Sequence, residues 1–279
     1  MLQPLTIGNT NFDFKKPYIM GIINLTPDSF SDQGLYCNPK KALKKIETLI
    51  NEGADIIDIG AESTRPNAIA ISAEEEIQRL KPILDVYKKK FTIPLSLDTT
   101  KSKVAHFGLD LGVDLINDIS GLKFDPQIAT LVKQYGVPII LMHTKGNPQN
   151  MQLNPQYNSV IQEVIEELLK SIKIAKAVGV KKIIIDPGIG FGKTIEHNLT
   201  ILNQLDKFLV LGYPLLIGTS RKSFLGQITG SPVNNRIYET LSSVIFTYLK
   251  GANFFRVHDV APTKKALEVA FRIRQSNDV

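Results

Sequence analysis

One unit recurs eight times along the 279-residue chain: a short apolar run that ends in polar residues, then a stretch of helical period. The runs lie at 18–23, 56–59, 95–97, 115–116, 139–142, 183–185, 215–217 and 254–257. They read as continuous apolar runs rather than alternating ones, the pattern of parallel strands covered on both faces. Eight such units in succession predict an α/β fold in which the strands close into a (β/α)8 TIM barrel. An open doubly wound sheet would give the same alternation. The number of units and the polar residue after nearly every run favour closure. Barrels of this kind run to roughly 250 residues as one domain. With no linker-like or low-complexity stretch, the chain reads as a single domain over 1–279, the barrel proper at about 17–275.

The boundaries between units carry their own signals. Gly53, Gly112, Gly136, Gly179, Gly212 and Gly251 each precede a run by a few residues, where a helix ends in the left-handed conformation. Asn38-Pro39, Asp125-Pro126 and Ser231-Pro232 each set a capping side chain before a proline at the first helical position. Ser72 with Glu75, and Ser159 with Gln162, predict capping boxes. Ahead of the first run, 5–7 and 11–14 flank Gly8-Asn9, which predicts a short N-terminal β-hairpin plugging the barrel bottom.

Composition narrows the function classes. Hydrophobic residues at 43% and charged residues at 22% suit a globular chain with a large core. The net charge is +6, yet the lysines are spread over many helical stretches among Glu and Asp. The densest cluster, Lys88-Lys89-Lys90, falls at a helix end, where cations suit the helix dipole. The charge therefore reads as a solvated basic surface with a bias toward anionic small molecules, and no nucleic-acid partner is expected. Cys37 is the only cysteine, which excludes an internal disulfide and a cysteine metal cluster. Residues 1–14 lack the apolar centre of a signal peptide, and no apolar run approaches the roughly 20 residues of a membrane helix. A soluble, cytoplasmic protein with no membrane partner is expected.

In a barrel, the residues just past each strand converge on one mouth. Here they are Asn24, Thr26, Asp28 and Asp32, then Glu62, Ser63, Thr64 and Arg65, then Asp98, Asn117 and Asp118. His143, Asp186, Ser220, Arg221, Lys222, Ser223, Arg256, His258 and Asp259 follow. Each aspartate alone is equally well a helix cap. Together, Asp98, Asn117 and Asp186 supply the acceptors and the mixed donor–acceptor that would read the edge of a flat, nitrogen-rich heterocycle. Arg256 sits in the apolar Phe254-Phe255-Arg256-Val257, so its charge needs a partner or an anion. Loops after the last two strands of barrels often bind phosphate, which makes Arg65, Arg256 and His258 candidates for a phosphorylated leaving group. The stretch Gly188-Ile189-Gly190-Phe191-Gly192-Lys193-Thr194 imitates a P-loop, but Pro187 stands where the first glycine is needed. A dinucleotide fingerprint fails there too, and the stretch reads as a tight loop exposing Phe191 as a stacking wall. His106 and His197 lie in helical stretches, and no spacing suggests zinc. Magnesium held mainly by substrate phosphates would leave little trace beyond one side-chain oxygen, for which Asn24 is the candidate.

Taken together, five segments resemble dihydropteroate synthases. They are Asn24-Leu25-Thr26-Pro27-Asp28-Ser29-Phe30-Ser31-Asp32, Glu62-Ser63-Thr64-Arg65-Pro66, 186–194, 218–222 and Arg256-Val257-His258-Asp259. The resemblance spans the first strand to the last. It implies a pterin-binding transferase of folate biosynthesis, a target of sulfonamides, that condenses 6-hydroxymethyl-7,8-dihydropterin diphosphate with 4-aminobenzoate and releases diphosphate. It implies pterin contacts from Asp98, Asn117, Met142, Asp186, Phe191, Lys222 and Arg256. Diphosphate contacts are implied for Asn24, Thr64, Arg65, Arg256 and His258, with Mg2+ on Asn24. Aminobenzoate contacts are implied for Phe30, Thr64, Pro66, Phe191, Lys222 and Ser223. Asp32, Arg65, Lys222, Arg256 and His258 are the implied catalytic set, and a homodimer is the implied assembly. The donor carbon carries an excellent leaving group on an electron-rich ring, so a dissociative, SN1-like displacement is expected. Asn67 and Ala61 depart from the family, which often has glycine at both places, and 142–146 also differs in detail. A methyltetrahydrofolate-binding methyltransferase would keep the acids but needs no diphosphate set. A non-catalytic pterin-binding relative is the other competing reading.

Overall fold

The computed structural model describes residues 2–26, 38–65, 68–147 and 149–276. A two-stranded antiparallel hairpin, β1 (Leu5–Ile7) and β2 (Thr10–Phe12), turns at Gly8-Asn9 as expected. Eight parallel strands follow: β3 (Tyr18–Asn24), β4 (Ile56–Gly60), β5 (Leu95–Asp98), β6 (Leu115–Asp118), β7 (Ile139–Met142), β8 (Ile183–Asp186), β9 (Leu216–Ile217) and β10 (Phe254–Val257). Hydrogen-bonded order runs β8-β7-β6-β5-β4-β3-β10-β9. The two ends of that series meet through a parallel bridge between Ile185 and Leu215, where the Ile185 N–H donates to the Pro214 carbonyl at 2.9 Å. The barrel is therefore closed, and the open doubly wound alternative is excluded.

The helices are α1 (Pro39–Asn51), α2 (Ala73–Lys90), α3 (Ser102–Asp110), α4 (Gln127–Tyr135), α5 (Val160–Ala177), α6 (Ile195–Asn203), α7 (Ser223–Thr229), α8 (Ile237–Leu249) and α9 (Val260–Gln275). The short α7 is additional to the eight expected units and follows directly on Lys222. Asn38 and Ser72 accept the N–H groups of Lys41 and Glu75, each at 3.1 Å, as capping side chains should. Three expected starts differ. Pro126 occupies the cap of α4 instead of its first position, and Asp125, one residue earlier, accepts the Gln127 N–H at 3.1 Å. The Ser159 side chain makes no cap, and Glu163 rather than Gln162 reaches back, taking the N–H groups of Asn158 and Ser159 at 2.6 and 3.1 Å. Ser231-Pro232 leads into a 3-10 turn, Val233–Asn235, and α8 starts only at Ile237. Glu75 does not close a full capping box with Ser72; its carboxylate pairs with Arg79 at 2.5 Å.

The core has two parts. Leu5, Ile7 and Phe12 of the hairpin join Tyr18, Met20, Ile56, Leu115, Ile140, Ile184, Leu216 and Phe254 in one cluster. These strand residues lie in the first halves of their strands, so the hairpin plugs the N-terminal end of the barrel. Phe12 is wholly buried, with its ring 4.7 Å from that of Tyr18. Such a side chain is worth about 1.5–3 kcal/mol of burial. The second part packs the outward faces of the strands against the helices. With the bottom plugged, the open end is the C-terminal one. Asn24, Asp98, Asn117, Asp118 and Asp186 lie within the ends of their strands rather than beyond them, while His143 and His258 are the first residues past theirs. Asn24 pairs with Gly60, Gly60 with Asp98, and Asp98 with Asn117, while Met142 pairs with Asp186. The ladder itself thus sets these side chains side by side. Among the described residues, no helix is long and apolar enough to cross a membrane.

Candidate active site

Arg256, on β10, is the hub of the mouth. Its Nε donates to Asp58 Oδ2 at 2.6 Å and its Nη2 to Asp98 Oδ2 at 2.9 Å. Asn117 Nδ2 donates to the same Asp58 oxygen at 3.2 Å. The cation in the apolar run has found its partners, and they are the acids of the opposite arc. Asp58 was not among the expected site residues. It is wholly buried inside the run Ile56-Ile57-Asp58-Ile59, and its Oδ1 has no partner. The signal that found Arg256, a charge within an apolar strand, would have found Asp58 as well. Burial pushes the Asp98 carboxyl up to about 8; Arg256 opposes this and Asp58 adds to it.

The second arc is built on Asp186, at the end of β8. Its Oδ1 accepts the Gly188 N–H at 2.7 Å, leaving Oδ2 without a partner among the described residues. Burial raises its pKa, with Lys222 pulling the other way. The Lys222 ammonium is pulled down to about 8 by burial, against the attraction of Asp186. It donates to the Ile189 carbonyl and lies 4.8 Å from the centroid of the Phe191 ring. Phe191 is half-buried rather than exposed. Met142 is buried at the end of β7, one ladder position from Asp186.

The glycine-rich stretch is not a phosphate cradle. Lys193 is buried, and its Nζ donates to the carbonyls of Gly188 and Phe191 at 2.9 and 3.0 Å and meets His143 Nδ1 at 2.8 Å. Tyr157 and Gln152 donate to the carbonyls of Gly192 and Gly190 at 2.8 and 2.6 Å. The loop is thus clamped from below, which fixes Phe191. Gly188 has φ +70°, and a β-carbon there would stand 1.8 Å from the His143 carbonyl, so only glycine fits.

On the remaining side of the mouth stand Asn24, Thr64, Arg65 and His258. Asn24 and Thr64 are half-buried and Arg65 is exposed. His258, expected as a cation, is not one. Burial pulls its pKa down to about 3, and Arg221, Arg256, Arg65 and Lys45 pull the same way. Ser220 Oγ accepts the His258 backbone N–H at 3.2 Å and contacts its Nδ1 at 3.0 Å. Arg221 is not a free phosphate ligand either. Its guanidinium is bound to both oxygens of Asp259, at 2.9 and 2.5 Å. Asp118 caps its own loop, accepting from Ser120 N, Ser120 Oγ and Leu122 N at 2.7–2.8 Å. Ser223 is exposed at the first position of α7. Phe30, Asp32, Pro66, Asn67 and Cys37 lie outside the described residues.

Among the described residues, no group of three or more His, Cys, Asp or Glu could hold a metal ion. The Asn24 side chain has no hydrogen-bond partner among them and supplies one neutral oxygen at the mouth. Such a donor suits magnesium, which keeps its waters and binds through few protein oxygens plus substrate phosphates.

The chain matches the pterin binding enzyme family over residues 20–258. The dihydropteroate synthase of Synechocystis sp. is 44% identical over 271 residues, which cover 96% of this chain and 94% of that one. The Yersinia pestis dihydropteroate synthase, solved as a sulfonamide drug complex, superposes with a TM-score of 0.94 at 36% identity, over 98% of this chain and 100% of that one. The Xanthomonas albilineans enzyme with 4-aminobenzoic acid gives 0.92 at 35% identity, over 99% and 100%.

Proposed function

This chain belongs to the dihydropteroate synthase family of pterin-binding transferases, and we propose that it joins 6-hydroxymethyl-7,8-dihydropterin diphosphate to 4-aminobenzoate. The observation that carries this reading is the arrangement of Asp98, Asn117 and Asp186 around Arg256, with Thr64, Arg65 and His258 beside it. The first group offers acceptors and donors to the edge of a pterin. Asp186 Oδ2 is the open acceptor, Asn117 and Lys222 supply donors, and Phe191 and Met142 bound the ring faces. The second group faces the diphosphate. Arg65 brings positive charge, Thr64 a hydroxyl, and His258 a neutral imidazole. An arriving polyanion raises the pKa of His258, so the ring can take up charge as the leaving group departs.

The displacement is dissociative. The bond from the 6-methylene carbon to the diphosphate oxygen breaks first, and its electron pair leaves with diphosphate. The resulting cation is delocalised over the dihydropterin, and the amine lone pair of 4-aminobenzoate then closes the new C–N bond and loses a proton. Asn24 would hold Mg2+ together with the diphosphate, and the ion when bound neutralises charge on the leaving group. Phe30, Thr64, Pro66, Phe191, Lys222 and Ser223 form the aminobenzoate pocket, and Asp32 belongs to the catalytic set. A pocket filled by the bound aminobenzoate keeps water from the cation. The related Yersinia enzyme was solved with a sulfonamide drug and the Xanthomonas enzyme with 4-aminobenzoic acid, which supports a pocket of this kind.

Diphosphate release from substrate carrying deuterium on the 6-methylene tests the reading. A secondary isotope effect clearly above unity, with sulfonamides competing against 4-aminobenzoate, is expected. Release without an isotope effect would rule out the dissociative step.

A homodimer is the proposed assembly. Tyr238 and Leu249 on α8 are 76% and 58% exposed, and Val269 and Ile273 on the adjacent α9 are 60% and 71% exposed. An apolar face of this kind marks an interaction surface. Light scattering should return twice the 31.0 kDa chain mass, and a monomer at micromolar concentration would contradict it.

A further inference from the structure

The segment between β4 and α2 carries Thr64 and Arg65, and it is fastened at both ends. Arg79, on α2, donates from Nη1 to the Ala61 carbonyl at 2.9 Å. Glu62 Oε1 accepts the Ile71 N–H at 3.0 Å, closing the segment into a loop across nine residues. The other Glu62 oxygen accepts Lys101 Nζ at 2.8 Å, and the same Nζ donates to Glu76 Oε2 at 2.8 Å. Glu76 is wholly buried on α2, and its Oε1 has no partner.

Such a triad is an expensive way to pack a helix. Buried ion pairs can often be exchanged for apolar contacts with no loss of stability. An apolar contact cannot supply a directional tie to a polar loop. Lys101 lies three residues beyond Asp98 and immediately precedes α3. One ammonium therefore links the strand that carries a pterin acid to the loop that carries the diphosphate residues. A cleft of about 190 Å³ beside the mouth is lined by Glu62, Thr64, Asp98 and Lys101, so the tie borders the site directly.

We propose that Lys101 is a positioning residue: bridging Glu62 and Glu76, it fixes the base of the 62–71 loop and so sets how tightly Thr64 and Arg65 hold diphosphate. The ligand named here rests on the dihydropteroate synthase reading. The tie itself does not, because it is internal to the protein.

Two variants and two measurements test it. Lys101→Met removes the bridge. Glu62→Gln keeps an acceptor for Ile71 but loses the one for Lys101, and its smaller change protects against a misfolded product. Amide exchange at Ile71 should be faster in both, most in Lys101→Met. Calorimetry should then show dihydropterin diphosphate binding about tenfold more weakly to Lys101→Met, the size of one charge-assisted hydrogen bond. A hydroxymethylpterin without diphosphate should bind within about twofold of wild type. Equal losses for both ligands would mean a general disturbance and overturn the proposal. Unchanged Ile71 exchange in both variants would overturn it whatever the ligands do. Wild-type protein that binds neither pterin would sink the proposed activity, while the Ile71 result would still decide the tie.

Discussion

Arg256→Met should lower kcat/KM by about a thousandfold and folding stability by about 3–5 kcal/mol. The guanidinium is bonded to Asp58 at 2.6 Å and Asp98 at 2.9 Å. Removing it leaves two buried carboxyls facing one another. Asp98, already pushed up to about 8, can answer by holding its proton. Asp58 loses its only charged hydrogen-bond partner among the described residues. Its Oδ1 is unpartnered even now, and without Arg256 its Oδ2 would keep only the amide of Asn117. Most of the stability loss should therefore trace to Asp58. Adding Asp58→Asn to Arg256→Met should restore much of the stability and none of the turnover. Denaturant titrations of the two single variants and the double variant form the cycle that measures this. Strictly additive effects would mean that Asp58 and Arg256 do not depend on one another.

Asp186→Asn should weaken pterin binding by about a hundred- to a thousandfold while leaving the fold intact. Its amide oxygen can still accept the Gly188 N–H, now made at 2.7 Å, so the loop keeps its anchor. The other terminal atom becomes an NH2 group, and a donor then meets the donor edge of the pterin. Losing a charged acceptor and clashing donors costs about 3–4 kcal/mol together. The stability expectation has the opposite sign. Burial raises the Asp186 pKa above its unfolded value. The folded protein thus binds a proton that the unfolded chain has released, and stability falls as pH climbs from the unfolded value of about 3.9 toward the folded one. Asn carries no such penalty, so at pH 8 the variant should be at least as stable as wild type. Wild-type affinity for pterin in this variant would remove Asp186 from the site.

Much of this architecture was readable from local pattern. The eight apolar runs became the eight barrel strands, and Gly8-Asn9 turns the hairpin that plugs the bottom. Arg256 declared its need for a partner because a charge in an apolar run is anomalous. Asp58, within Ile56-Ile57-Asp58-Ile59, carries the same sign. What stayed hidden depends on contacts across the fold. Arg221 and Lys222 are neighbours in sequence, yet Asp259 takes the first, while the second reaches the Ile189 carbonyl beside Asp186. Lys193 looked like the lysine of a P-loop, and only the packing of 188–192 on His143 shows it turned inward. The neutrality of His258 follows from burial among cations from two other loops and from α1 as well as from its own strand, and the distant ones are encoded by no local spacing. The Glu62–Lys101–Glu76 bridge joins residues up to 39 positions apart. Phe30, Asp32 and Pro66 rest on the resemblance alone.

The most direct test of the whole account is the identity of the product. Purified protein would be given dihydropterin diphosphate, Mg2+ and 4-aminobenzoate labelled with heavy nitrogen on its amine. Mass spectrometry should find dihydropteroate that retains the label, with one diphosphate released for each molecule formed. Diphosphate released without labelled dihydropteroate, or neither product, would contradict the assignment of this mouth to pterin–aminobenzoate condensation.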